Sequence, residues 1–269
     1  MEITLIYIGL GCVIGIILAL TGAGGGVIGV PLLVFGAHLS IAEAAPIGLM
    51  AVFIASTLGA VLGLKAKTVR YKSALLMAGA GMLLSPLGLW LAQRIDNRWL
   101  NVLFGIILLF VAYRTFRQTQ QLNNDELHNH GTPPCIRDAG TGRFHWTSSC
   151  ARYLGLSGAT AGFLSGLLGI GGGFVIVPAL QRYTDLVMVS VVATSLAVMA
   201  LISMTVVATS AMTGHLNWVA ALPFSMGALV GMLSGRLIAG RLARTHIQKI
   251  FALLLLIVAL IMLSKPLIH

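Results

Sequence analysis

The chain has 269 residues, of which 58% are hydrophobic and only 9% are charged, and its mean hydropathy is +0.96. This composition excludes an ordinary soluble domain and indicates a helical integral membrane protein. The net charge is +10. The basic residues lie between apolar segments, where membrane topology explains them, so we expect lipid and not nucleic acid as the partner. Three cysteines, an odd number, predict no disulfide framework.

Apolar segments in chain order predict ten helical stretches. They cover roughly 3–20, 24–37, 44–64, 73–93, 99–116, 153–168, 173–181, 187–212, 217–235 and 247–264. Six of them, three in each half, are long enough to cross about 30 Å of hydrocarbon at roughly 1.5 Å per residue. We therefore predict an N-terminal membrane repeat over 1–117, a linker over 118–152 and a C-terminal membrane repeat over 153–269.

A glycine motif divides the chain into two related halves. The pattern Gly-x-Gly-Gly-Gly-x4-Pro-x-Leu begins at Gly22 and again at Gly169, 147 residues later. Three successive glycines disfavour a helix by roughly 1 kcal/mol each, and Pro31 and Pro178 each free a backbone carbonyl. Unpaired backbone at membrane depth needs protein or a water-filled cavity beside it, and paired breaks of this kind indicate a transporter's binding site. The alternative is that the glycines only allow close helix packing.

The distribution of lysine and arginine predicts how each broken segment is folded. If each crosses the membrane once, the 17 basic residues divide into ten on one side and seven on the other. If each is a hairpin that returns to its own side, the division is fourteen to three. The positive-inside rule favours the hairpins, which make the two halves inverted repeats, each a hairpin plus three transmembrane helices. We expect the central loop in the cytoplasm and both termini in the periplasm.

The candidate binding residues belong to the two breaks and the helix after the second. No acidic or basic residue lies deep in a predicted span, which argues against a cation pump built on carboxylates and suits an anion bound by helix N-termini. The candidates are Thr21, Gly22, Gly24, Gly25, Gly26, Ser165, Gly169, Gly171, Gly172, Gly173, Thr194 and Ser195. We predict no catalytic residue, cofactor or metal, and therefore no enzyme.

Two further features have competing interpretations. Glu43 begins the helix after the first hairpin, where an acid ordinarily caps the helix, and proton coupling is the alternative. The polar stretch holds His128, His130, Cys135, His145 and Cys150, but the spacing is poor for zinc because neither cysteine belongs to a Cys-x-x-Cys pair. We interpret it as a cytoplasmic linker. The alternative is a membrane-anchored sensor, or a redox or metal protein, that works through this loop.

The doubled glycine motif, the hydropathy profile and the sequence Ala193-Thr194-Ser195-Leu196 resemble the TauE/SafE family of sulfite and organosulfonate exporters. The resemblance covers essentially the whole chain except the central loop. It implies a secondary transporter that exports a small anion, sulfite or an organosulfonate, across the bacterial inner membrane by alternating access. The N-terminal half has Ala45-Pro46-Ile47-Gly48 instead and offers no hydroxyl there. The sequence leaves open whether the protein forms a homodimer.

Overall fold

The computed structural model describes residues 2–22, 25–37, 39–121, 135, 148–239 and 252–263, and within them the chain is helical with no strands. The helices are α1 (Glu2–Thr21), α2 (Gly25–Gly36), α3 (Ile41–Lys65), α4 (Tyr71–Ala92), α5 (Asn97–Gln121), α6 (Ser148–Leu168), α7 (Gly173–Tyr183), α8 (Met188–Met212), α9 (Trp218–Ala239) and α10 (Ala252–Leu263). The bounds follow the predicted segments closely. Helices α5 and α6 extend into both edges of the predicted linker.

Six helices in the described part of the chain are long and apolar enough to cross a membrane: α1, α3, α4, α5, α8 and α9. Five of them are predicted spans. The sixth is α1, which was predicted as half of a hairpin and has spanning length in the structure. The remaining predicted span, 247–264, lies partly outside the described residues, and its described part is α10. Large apolar side chains such as Leu83 and Val219 are exposed on the outer faces, which suits contact with lipid. The chain is a multi-pass membrane protein.

Both broken segments are hairpins. Helix α2 returns along α1, because Gly25 faces Leu18 and Gly36, at the other end of α2, faces Leu10. Helix α7 returns along α6, and at the open end of this second hairpin the rings of Tyr153 and Tyr183 stack with centroids 4.8 Å apart. The charge distribution predicted this folding back.

The two halves interlock through their hairpins. Helix α1 packs along α9 of the other half, with Gly11 against the backbone of Phe224. Helix α6 packs along α4 in the equivalent way, with Gly162 against the backbone of Gly81. Small residues at these positions let the helix backbones approach closely, as is common between membrane helices.

Helices α3 and α8 pair antiparallel at the centre. Gly63 faces Ala193 and Gly59 faces Leu196, so residue numbers rise along α3 as they fall along α8. Antiparallel pairing of equivalent helices is what two inverted halves would give. The inversion of the halves relative to a bilayer stays a prediction.

The expectation of no disulfide framework is wrong for two of the three cysteines. Cys135 and Cys150 form a disulfide with Cα atoms 5.2 Å apart, and Cys12 is a free thiol within α1. The N–H of Cys135 also donates to the carbonyl of Tyr183 at 3.1 Å. An odd number of cysteines excludes only complete pairing of all three. Whether two of them pair depends on the folded position of Cys135, which lies beside the start of α6. His128, His130 and His145 lie outside the described residues.

Candidate functional site

The first break separates α1 from α2. Gly22 has φ 73°, a left-handed conformation that glycine adopts without steric penalty, and its N–H donates to the carbonyl of Leu18 at 2.8 Å. The hydroxyl of Thr21 donates to the carbonyl of Ile17 at 2.7 Å, within its own helix. Helix α2 then begins at Gly25. The candidate Gly24 lies outside the described residues.

The second break has the same construction. Gly169 has φ 74° and donates its N–H to the carbonyl of Ser165 at 2.8 Å, as Gly22 does to Leu18. Gly171 and Gly172 also have positive φ values of 77° and 71°, and α7 begins at Gly173. The repeated glycines therefore correspond to repeated left-handed backbone at positions 22 and 169.

The two breaks meet each other. Gly26, in the first turn of α2, lies against the carbonyl oxygen of Ile170 in the second break, and any side chain at position 26 would overlap that oxygen. Gly171 lies beside Val52 of α3 and Met199 of α8, which occupy equivalent positions in the two repeats. The structure thus brings Gly26 of the first motif and Gly171 of the second to one central region.

Each break also packs against the long central helix of the other half. The hydroxyl of Ser195 on α8 lies 3.5 Å from the carbonyl oxygen of Gly22. At the equivalent position of α3, a Cβ on Gly48 would lie 3.9 Å from the carbonyl oxygen of Gly169. A hydroxyl therefore faces the first break from this position, and none faces the second.

The tips of the hairpins are displaced to opposite sides of the centre. Gly22 contacts Val192, two helical turns or about 10 Å before Met199 along α8. Gly169 contacts Ala45, equally far before the middle of α3. Because α3 and α8 are antiparallel, the first tip lies toward the α3–α4 loop and the second toward the α8–α9 loop. The hairpins pass each other where the two breaks touch.

Three candidate hydroxyls have different bonding. The Ser195 hydroxyl donates to the carbonyl of Val192 at 2.8 Å, and the Thr194 hydroxyl accepts the backbone N–H of Arg70 at 3.1 Å. Ser165 is fully buried, and its hydroxyl has no partner among the described residues. An unbonded buried hydroxyl is unfavourable by about 1–3 kcal/mol, so Ser165 is suited to a polar ligand at the second break.

Arg70, which the sequence indicates only as a loop charge, belongs to the start of α4 beside α8. Arg70 is the N-cap of α4, and its Nε is buried. The signal was present in the repeat, because the 147-residue offset aligns Arg70 with Asn217, a neutral residue at the start of α9. A cation in place of a neutral cap distinguishes the two halves at this position.

Glu43 forms a capping box at the start of α3. Its carboxylate accepts the N–H of Ser40 at 3.0 Å and the hydroxyl of Ser40 at 2.7 Å, and the Ser40 hydroxyl accepts the N–H of Glu43 at 3.3 Å. These bonds explain the presence of an acidic residue at position 43 by its part in the helix cap. A role in proton coupling stays a prediction.

Comparison with known proteins agrees with this architecture and places the chain among membrane transporters. A family model described as sulfite exporter TauE/SafE matches residues 7–262, and the chain belongs to that family. A "Probable membrane transporter protein" of Xylella fastidiosa (strain Temecula1) is 29% identical over 267 residues, which cover 95% of this chain and 93% of the relative. The "Probable membrane transporter protein YunE" of Bacillus subtilis is 30% identical over 264 residues, which cover 94% of each chain. No solved structure matches significantly.

Proposed function

We propose that this protein is a secondary transporter that exports a small anion, sulfite or an organosulfonate, across the bacterial inner membrane by alternating access. The observation that carries the proposal is the contact between Gly26 and Ile170, which joins the first turn of α2 to the non-helical backbone of the second break at the centre of the molecule. The family description supports a sulfur oxyanion as the substrate.

The anion would be bound mainly by backbone. Helices α2 and α7 begin at the breaks, and a helix N-terminus presents unpaired N–H groups and about half a positive charge. The first-turn glycines, Gly25 and Gly26 in α2 and Gly173 in α7, leave these N–H groups unobstructed by side chains of their own. The buried hydroxyl of Ser165 would add a side-chain donor, and that of Ser195 would add one in exchange for its bond to the carbonyl of Val192.

The displaced hairpin tips suggest how access alternates. The first tip lies on the α3–α4 side of the centre and the second on the α8–α9 side, so each tip narrows the path to one face. Movement of one hairpin away from the other half would open its own face, while the second hairpin keeps the opposite face closed. Glycine at positions 22 and 169, where φ is positive, would provide the hinges.

Two observations disagree about orientation. Fourteen of the 17 basic residues fall on the side of the central segment, which favours the cytoplasm. The disulfide between Cys135 and Cys150 lies on the same side, and disulfides persist mainly in oxidising compartments. We give more weight to the charges, because they are spread over several loops, whereas the cysteines can also exist there as two thiols.

Flux into proteoliposomes tests the function. Purified protein would be assayed with sulfite, sulfoacetate, sulfate and acetate, each with and without a pH gradient. We expect saturable flux that prefers a sulfur oxyanion over acetate, and the gradient arm would report whether protons are coupled. Absence of flux for all four anions would overturn the proposal and favour a function centred on the central segment.

A further inference from the structure

We infer that the first turn of α4, with Arg70 and Ser73, is an anion-binding site that loads the substrate from the α3–α4 side. The inference rests on the proposed function and adds to it an entry site on the α3–α4 side. It lies outside the two breaks and uses residues for which the repeat predicts no role.

The buried hydroxyl of Ser73 points to a ligand. Ser73 is fully buried, and its hydroxyl has no partner among the described residues. It is the third residue of α4, a helix whose start has no side-chain cap. The N–H groups of a first helical turn have no partner within the helix, and the helix dipole adds positive potential there. An oxyanion would accept from both the hydroxyl and these N–H groups.

Arg70 makes the same turn more positive. Arg70 adds a full positive charge to the partial positive charge of the helix N-terminus. The Nε of Arg70 is buried, so the guanidinium begins inside the protein and is not a freely solvated surface charge. Guanidinium groups bind two oxygens of one oxyanion in parallel, which suits a sulfite or sulfonate group.

The equivalent turn in the other half, at the start of α9, is capped by a side chain. At the equivalent start of α9, the side-chain oxygen of Asn217 accepts the N–H groups of Val219 at 3.1 Å and Ala220 at 3.4 Å. That is an ordinary helix cap. The 147-residue offset also aligns Ala220 with Ser73. The start of α9 therefore has neither a cation equivalent to Arg70 nor a hydroxyl equivalent to that of Ser73.

The α4 turn is connected to the first break through α8. The N–H of Arg70 donates to the hydroxyl of Thr194 at 3.1 Å, and the next residue, Ser195, lies 3.5 Å from the carbonyl of Gly22. Ser73 is within one helical turn of Arg70. Arg70 in turn bonds α8 beside the tip of the first hairpin. An anion that enters from the α3–α4 side would meet this turn before the breaks.

The two entrances therefore differ in their expected affinity for an anion. The anion is bound more tightly at the charged α4 turn and is released past the neutral turn of α9. With the α3–α4 loop in the cytoplasm, as the basic residues favour, the charged turn would bind the anion on the side from which export begins, while the gradients set the net direction.

Sulfite binding to nanodisc-embedded protein and sulfite flux in proteoliposomes test the site together. Arg70→Gln should weaken sulfite binding and raise KM by roughly tenfold or more, because a charge-assisted contact is lost, with kcat changed much less. Arg70→Lys should recover part of the affinity, and Ser73→Ala should raise KM by a smaller factor. Lys72→Gln is the matched control, since Lys72 is an exposed cation in the same turn and should change KM less than about twofold.

The outcomes separate this inference from the proposed function. Sulfite flux with an unchanged KM in Arg70→Gln, or equal effects of Arg70→Gln and Lys72→Gln, would overturn the α4 site and leave the transporter intact. Sulfite binding that depends on Arg70 but occurs without flux would support the site and overturn the transport proposal. A wild-type protein that binds no sulfite would overturn the site. If Arg70→Gln does not fold, Ser73→Ala, which changes one hydroxyl, decides by the same measurement.

Discussion

The carbonyl oxygen of Ile170 occupies the space that a side chain at Gly26 would need. The contact links the first turn of α2 to the second break, and it requires glycine for steric reasons alone, since Gly26 is helical. Three residues further along α2, a Cβ on Gly29 would be 3.5 Å from the Ile14 side chain, an ordinary packing distance. The same helix therefore contains one glycine that the breaks require and one that they do not.

Gly26→Ala should reduce sulfite flux at least tenfold, because the added methyl group forces the two breaks apart. Gly29→Ala, the matched control, should keep near wild-type flux and gain helix propensity of up to about 1 kcal/mol. Initial rates in proteoliposomes with equal protein incorporation measure both. Equal flux in the two variants would contradict the assignment of the breaks to the transport path.

Ser195→Ala should raise the KM for sulfite several-fold while the protein inserts normally, because it removes the hydroxyl beside Gly22. Thr205→Val is the control: Thr205 lies on the same helix, and its hydroxyl bonds only the carbonyl of Leu201 at 3.2 Å. KM values from concentration series compare the two. A larger effect of Thr205→Val would show that hydroxyls on α8 act through helix stability and not through the site.

Glu43→Gln should leave the rate and its response to a pH gradient unchanged, because glutamine also completes a capping box and the structure accounts for Glu43 as a cap. Glu43→Ala should lower the free energy of unfolding by up to about 1 kcal/mol, because the Ser40 N–H loses its acceptor while the Ser40 side chain still caps the helix. Flux at two pH gradients and a melting curve measure these effects. Loss of the pH response in Glu43→Gln would establish the alternative, that Glu43 couples proton movement to transport.

Purified protein, denatured in air without reductant, should react with one PEG-maleimide, at Cys12, and reduced protein with three, since Cys135 and Cys150 are paired. A Cys12→Ser control should react with no PEG-maleimide before reduction and with two after it. The same count on cells quenched with acid and alkylated in denaturant reports the compartment, since Cys135 and Cys150 are buried in the folded protein. With the central segment in the cytoplasm we expect all three cysteines to be alkylated as thiols. A disulfide that is already present in intact cells would contradict that orientation.

The sequence by itself determined the helices and where they break. In lipid each backbone N–H must be bonded within its own segment, so helix bounds depend on local apolar runs and on local interruptions such as those after Gly22 and Gly169. Comparing charge totals for the two topologies was enough to predict that the broken segments fold back. The 147-residue offset also aligned the equivalent helices of the two halves.

Only the tertiary structure decided which distant residues meet. The contact of Gly26 with Ile170, the bond from Arg70 to Thr194 and the pairing of Cys135 with Cys150 each join segments whose local patterns are silent about one another. Close packing between helices depends on their relative rotation and depth, which hydropathy does not encode, because lipid and protein interior are equally apolar. The helices and their breaks could therefore be predicted, whereas the contact of Arg70 with α8 could be found only after the chain was folded.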